Sequence, residues 1–225
     1  MSVDIAWLQQ FGALAREAAV IGLLVTGAAL ILVRDWRLTL LALLGQYVLA
    51  GVILSQLVLP EIALIKTLIG ALICPMLYLA ARQSGWGFFS SPEVLGRMLA
   101  VGSAAQSAPP VFRVGLAFRL LAATLVLVLA VVISQTHPVA AMPADAALGC
   151  TWLILAGLLV LMLTEEPLKA GPGLLTVITG FELAYTPLET SLAVVLMWAI
   201  VNLLLAVAIS YLAAVRGVNT ADEDL

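Results

Sequence analysis

The chain has 225 residues, of which 64% are hydrophobic and 10% charged, and its mean hydropathy is +1.17. Soluble domains are about half apolar and a quarter charged, so this composition excludes a water-soluble globular fold. The net charge of -3, without basic clusters, offers nothing to a phosphate backbone, and no nucleic-acid partner is expected.

A membrane helix needs about 20 apolar residues. Lipid gives backbone groups no outside partner, so each long apolar run that does not alternate reads as a helix. The sequence predicts an all-α, polytopic membrane helix bundle of about seven spans, in one domain over 1–225. The amino-terminal segment has an acid before its first base and lacks a basic n-region, so it is expected to be retained.

The first span is predicted over 17–33. It ends at Arg34, Asp35 and Arg37, a polar turn in which Trp36 serves as interfacial anchor. The second covers 38–59, Pro60 and Glu61 form a turn, and the third covers 62–81, stopping at Arg82. Residues 82–113 read as a surface loop with a short amphipathic stretch near 93–101. The fourth span covers 114–134, and Pro138, Pro143 and Asp145 mark the loop before the fifth, 148–163. EEPLKAGPG, with its glycines and Pro172 as a helix breaker, precedes a short sixth span, 174–185. TPLE leads into the seventh, 190–215, and the acidic tail 217–225 reads as disordered.

Basic residues collect on cytoplasmic loops. In this topology Arg34, Arg37, Arg82, Arg97, Arg113, Lys169 and Arg216 fall on one side, with Arg119 long enough to snorkel there. Arg16 alone falls on the other. The expected orientation has the amino terminus outside and the carboxyl terminus in the cytoplasm, as for a bacterial inner (plasma) membrane protein.

An ionisable residue at membrane depth costs about 2.5–3.5 kcal/mol to insert and is a functional candidate by default. Glu182 lies inside the sixth span, where a carboxyl withdrawn from water can gain and lose a proton near neutral pH. Its alternative is a polar contact to a neighbouring helix. Lys66, six residues past Pro60, is either a relay or a snorkelling chain. Gln46 and Asn202 are neutral groups suited to helix glue or to passing a hydrogen bond. Cys74 and Cys150 lie in apolar runs and read as packing thiols, and His137 beside Pro138 has no ligand neighbours. No cofactor, no metal and no self-contained enzymatic site are expected.

Gln46 and Lys66 are 20 residues apart, as are Glu182 and Asn202, and Gly45 and Gly180 stand near the first member of each pair. Helices one to three and five to seven thus read as two three-helix units. The second unit, with Gly180, Phe181 and Glu182 as a Gly-x-Glu step, resembles the K subunit of complex I. That resemblance implies that Glu182 belongs to a proton path. Asn202 stands where that family has a second acid, and EEPLKAGPG is longer than its turn.

Over about two thirds of its length the chain is similar to component E of hydrogenase 4. The similarity rests on GLLVTGAALILVRDWRL and on the stretch from Lys66 through CPMLYLAAR, with Lys66 about one turn further from Pro75. It implies a non-catalytic membrane subunit of a complex-I-like or hydrogenase-4-like energy-converting assembly. Glu182 and Lys66, with Asn202 and Gln46, would contribute to proton or sodium translocation. The implied partners are antiporter-like subunits and subunits of a quinone or hydrogenase module. Two other classes stay open: a small secondary transporter, and an accessory structural subunit of a respiratory or photosynthetic complex.

Overall fold

A computed structural model describes residues 2–33, 35–83, 115–137, 142–164, 167–189 and 191–223. These residues form seven helices: α1 (Ser2–Leu32), α2 (Trp36–Leu57), α3 (Pro60–Gln83), α4 (Leu116–Thr136), α5 (Ala144–Leu163), α6 (Pro167–Tyr185) and α7 (Leu192–Glu223). All but α6 contain a stretch long and apolar enough to cross a membrane. The chain is an integral membrane protein, and its described residues form an all-α bundle. The loop and amphipathic stretch expected over 82–113 lie outside the described residues from 84 onward.

Several boundaries differ from the sequence reading. At the amino terminus α1 begins at Ser2, well before the first apolar run. The last helix continues to Glu223 and so runs through most of the segment expected to be a disordered tail. The AGPG step does not break a helix, because α6 runs through it with Pro172 inside. Proline costs the donor of one backbone bond, but the flanking glycines allow close helix contacts. A side chain at Gly171 would strike Ile209 of α7, and one at Gly173 would strike Val160 of α5. The same polar and small residues, with Lys169 and Glu182, leave α6 without a stretch apolar enough to cross a membrane by that measure. It is also deeply enclosed, packing on α2, α5 and α7.

The helices arrange as two triplets side by side. Within them α1 packs on α2 and α2 on α3, and α5 packs on α6 and α6 on α7. Between them α1 meets α5, α2 meets α6 and α3 meets α7, while α4 lies outside, mainly against α5. Arg16 of α1 bonds Asp145 of α5 at 2.6 Å at one end of the bundle. At the other end Arg119 of α4 donates to the carbonyl of Ile31 at 3.1 Å, supplying one of the carbonyls that a helix terminus leaves unpaired. Ala81, Leu168 and Ala213 form a buried cluster there, with Trp36 packed against it. These contacts define an Arg16 end and a Trp36 end between which successive helices alternate in direction. Trp36 sits at the start of α2, where Asp35 caps the helix through the amide of Arg37 and the Tyr78 ring lies 5.6 Å away.

With lipid on the outside, helix association depends on close packing and on interhelical hydrogen bonds. Trp152 is the largest fully buried side chain. Its indole N–H donates to the Leu23 carbonyl at 3.2 Å, and the missing side chain of Gly27 leaves room for its ring. Among the described glycines the closest approach to neighbouring backbone joins α5 and α6, where a Cβ on Gly157 would come within 2.6 Å of the Gly173 carbonyl oxygen and 2.8 Å of the Val177 amide nitrogen. Backbone atoms cannot swing aside as a flexible side chain can. Gly157→Val should therefore lower stability by about 1–3 kcal/mol, read from unfolding in detergent micelles. Gly115→Ala meets no atom within 4 Å beyond its chain neighbours, so its cost is confined to the cap it gives α4, about 1 kcal/mol or less.

Candidate functional site

Two oppositely charged side chains from different triplets meet inside the bundle. Lys66 of α3 places Nζ 3.3 Å from Glu182 Oε2, and their side chains are 10% and 7% exposed. The ammonium also donates to Thr186 Oγ1 at 2.8 Å, and that hydroxyl donates to the Glu182 backbone carbonyl at 2.6 Å. From α7, Asn202 Nδ2 donates to Glu182 Oε1 at 2.6 Å and to the Trp198 carbonyl at 3.1 Å. Each carboxylate oxygen thus has one donor, one charged and one neutral.

The Lys66 ammonium is thus turned toward the Glu182 carboxylate inside the bundle. Inserting either charge alone costs several kcal/mol, whereas a hydrogen-bonded pair offsets much of that cost. Three of the four candidate residues converge on one carboxylate: Glu182, Lys66 and Asn202. Gln46 does not join them. It is fully buried on α2, where its Oε1 lies 2.9 Å from Thr176 Oγ1 of α6.

That contact also changes the register of the two triplets. Gln46 is ten residues into α2 and Thr176 nine residues into α6, so these two sit at one level. Glu182 stands six residues further along. The equal 20-residue separations bring no matched pairs, because Lys66 and Asn202 approach the same carboxylate from neighbouring helices. Gly180 faces elsewhere, with a Cβ there meeting Cys150, Leu153 and Ile154 of α5. Gly180 is a packing residue of the α5–α6 contact, and Glu182 turns toward α3 and α7.

The depth differs from the middle of a span as well. Glu182 lies three residues before the end of α6 and Lys66 six residues after the start of α3. At 1.5 Å per residue these are about 5 and 9 Å from the helix ends. The pair therefore lies close to the Arg16 end.

A small, partly enclosed cavity opens beside the pair, lined by Tyr47, Lys66, Thr179, Glu182 and Asn202 among apolar neighbours. It has room for about one water between polar side chains. Tyr47 is 6% exposed, and its ring fills the place a side chain on Gly70 would take. Its hydroxyl lies beside Thr179 without a well-formed hydrogen bond to protein, and Asn202 Oδ1 likewise has no protein donor. The sequence reading named neither Tyr47, Thr179 nor Thr186. Their signal was spacing, since Thr176, Thr179, Glu182 and Thr186 recur every three or four residues, on one face of a helix.

Removing one partner leaves the other charge buried and unpaired. Lys66→Met should cost about 3–5 kcal/mol of stability, and the double variant Lys66→Met with Glu182→Leu should recover most of that loss. Equilibrium unfolding in mixed micelles measures both, and simple additivity of the two single losses would contradict the pairing. Compared with protein-family models, with curated proteins and with solved structures, the chain gives no significant match to any.

Proposed function

We propose that this chain is a non-catalytic membrane subunit of a complex-I-like or hydrogenase-4-like energy-converting complex, in which Glu182 and Lys66 take part in proton translocation. The observation that carries the reading is the pair itself. A carboxylate and an ammonium lie side by side in an apolar bundle, next to a cavity with unsatisfied polar groups. Adding a proton to Glu182 weakens its hold on Lys66, and removing one restores it. Each proton event thereby changes the local charge balance between α3 and α6. That is the coupling a charge-driven pump needs, and it requires no redox group in this chain. In this reading the orientation follows the basic residues, with the Trp36 end cytoplasmic, and antiporter-like and quinone- or hydrogenase-module subunits are the neighbours.

A second reading keeps the same pair as glue. Lys66, Glu182, Thr186 and Asn202 tie α3, α6 and α7 together, which suits an accessory structural subunit. The two readings part on a variant that preserves shape but cannot ionise. In sealed membrane vesicles carrying the assembled complex, Glu182→Gln should reduce proton uptake per electron transferred by at least about tenfold, with the complex still assembled. Unchanged coupling in an assembled Glu182→Gln complex removes the proton role and leaves the structural one.

A further inference from the structure

Beyond the paired charges, the buried face of α6 carries a line of hydroxyls. Thr176, Thr179 and Thr186 are 0%, 4% and 3% exposed, and they share that face with Glu182. Each hydroxyl donates back to the carbonyl four residues earlier: Pro172 at 2.7 Å, Leu175 at 2.8 Å and Glu182 at 2.6 Å. A hydroxyl that donates in this way keeps its lone pairs free to accept. Such back-bonds are common in membrane helices, and by themselves they mean little.

What faces them gives the line direction. Across from Thr176 and Thr179, α2 presents Gln46 and Tyr47, both buried. Tyr47 Oη has no well-formed hydrogen bond to protein, and Tyr47 lines the cavity at Glu182. Thr176 spends its single proton on the Pro172 carbonyl, so the Gln46 amide 2.9 Å away is satisfied with its nitrogen turned to the Thr176 hydroxyl. A buried donor left unpaired costs about 1–3 kcal/mol, so the Tyr47 hydroxyl beside an acceptor line is expensive unless water or a passing proton engages it. Between Thr176 and Glu182 the line rises six residues, about 9 Å, toward the Arg16 end. Past Gln46 it is closed by Leu43 and Leu175, both fully buried. Nearer the Trp36 end a second, smaller pocket lies on the α1 and α5 side of this contact, lined by Thr39, Thr164, Lys169 and Arg119.

We infer that Gln46, Tyr47, Thr176 and Thr179 form a proton-conducting column between α2 and α6, through which Glu182 exchanges protons with the Trp36 end. Leu43 and Leu175 act as its gate. The inference rests on the proton-carrying reading of Glu182 and adds the route. Glu182 lies near the Arg16 end and reaches that face through about one turn of helix, whereas the column leads from it toward the opposite face. Exchange with both faces is what transport across the membrane requires.

The column is tested by asking which face sets the protonation of Glu182. Dicyclohexylcarbodiimide enters membranes and adds to protonated carboxyls, the acid oxygen bonding to the central carbon and its proton passing to a nitrogen. In sealed vesicles of one orientation carrying the full chain in its complex, Glu182 labelling is followed by peptide mass spectrometry while the pH is changed on one side at a time. Wild type should label faster when either face is acidified, up to about tenfold per pH unit. Thr176→Val with Gln46→Leu should abolish the response to the Trp36 face and keep the response to the Arg16 face. That retained response also shows that the variant is folded. A wild type that responds to the Arg16 face alone, or a variant that still responds to both, would overturn the column and leave the proton reading of Glu182 intact. Labelling that follows neither face would overturn both.

Discussion

One buried ion pair organises this bundle. Around it the interior is held by aliphatic packing and glycine-mediated contacts, and the triplets are further tied by Arg16 to Asp145, Trp152 to the Leu23 carbonyl and Thr176 to Gln46, but among the described residues no other contact between them sets two charges together this deep. The Lys66–Glu182 contact joins α3 of the first triplet to α6 of the second at 3.3 Å. Asn202 brings α7 to the same carboxylate. In a solvent that stabilises neither charge, the pair fixes which faces of three helices must meet.

The helix that supplies the carboxylate is also deeply enclosed. α6 carries Lys169, Pro172, Glu182 and two buried threonines, with a third, Thr186, just past its end, and it lies against α2, α5 and α7. Its neighbours show the reverse arrangement. On α4 and α7 large aliphatic side chains such as Leu121, Val128, Ile200 and Leu204 are exposed, as suits surfaces in contact with lipid. The distribution is inverted relative to a soluble protein, with polar groups inside and leucines outside.

Most of the helices were legible in the sequence because apolar length is a strong signal: α2, α4 and α5 lie within a few residues of their expected limits. What failed was punctuation. Pro172 and its glycines look like a break, yet in membrane helices small residues mark close neighbours, as Gly171 and Gly173 do against Ile209 and Val160. The ends of α1 and α7 extend past the apolar runs because hydropathy reports the lipid boundary and not where helical hydrogen bonding stops. Glu182, Lys66 and Asn202 could be singled out from the cost of burying them, but their meeting could not, since no sequence spacing encodes a contact between residues 116 apart. Tyr47 and the threonines are individually ordinary, and only the facing helix gives them meaning.

The most direct test is the distance between the two charged groups in a lipid bilayer. Lys66 and Lys169 are the chain's two lysines, so nitrogen-15 at the lysine side chains and carbon-13 at the glutamate carboxyls, with Lys169→Arg to remove the second signal, isolate the contact. Solid-state dipolar recoupling should show a strong coupling between Lys66 Nζ and one carboxyl carbon, and Glu182→Gln should remove it. A Lys66 nitrogen with no carboxyl coupling in the wild-type chain would contradict the account at its centre.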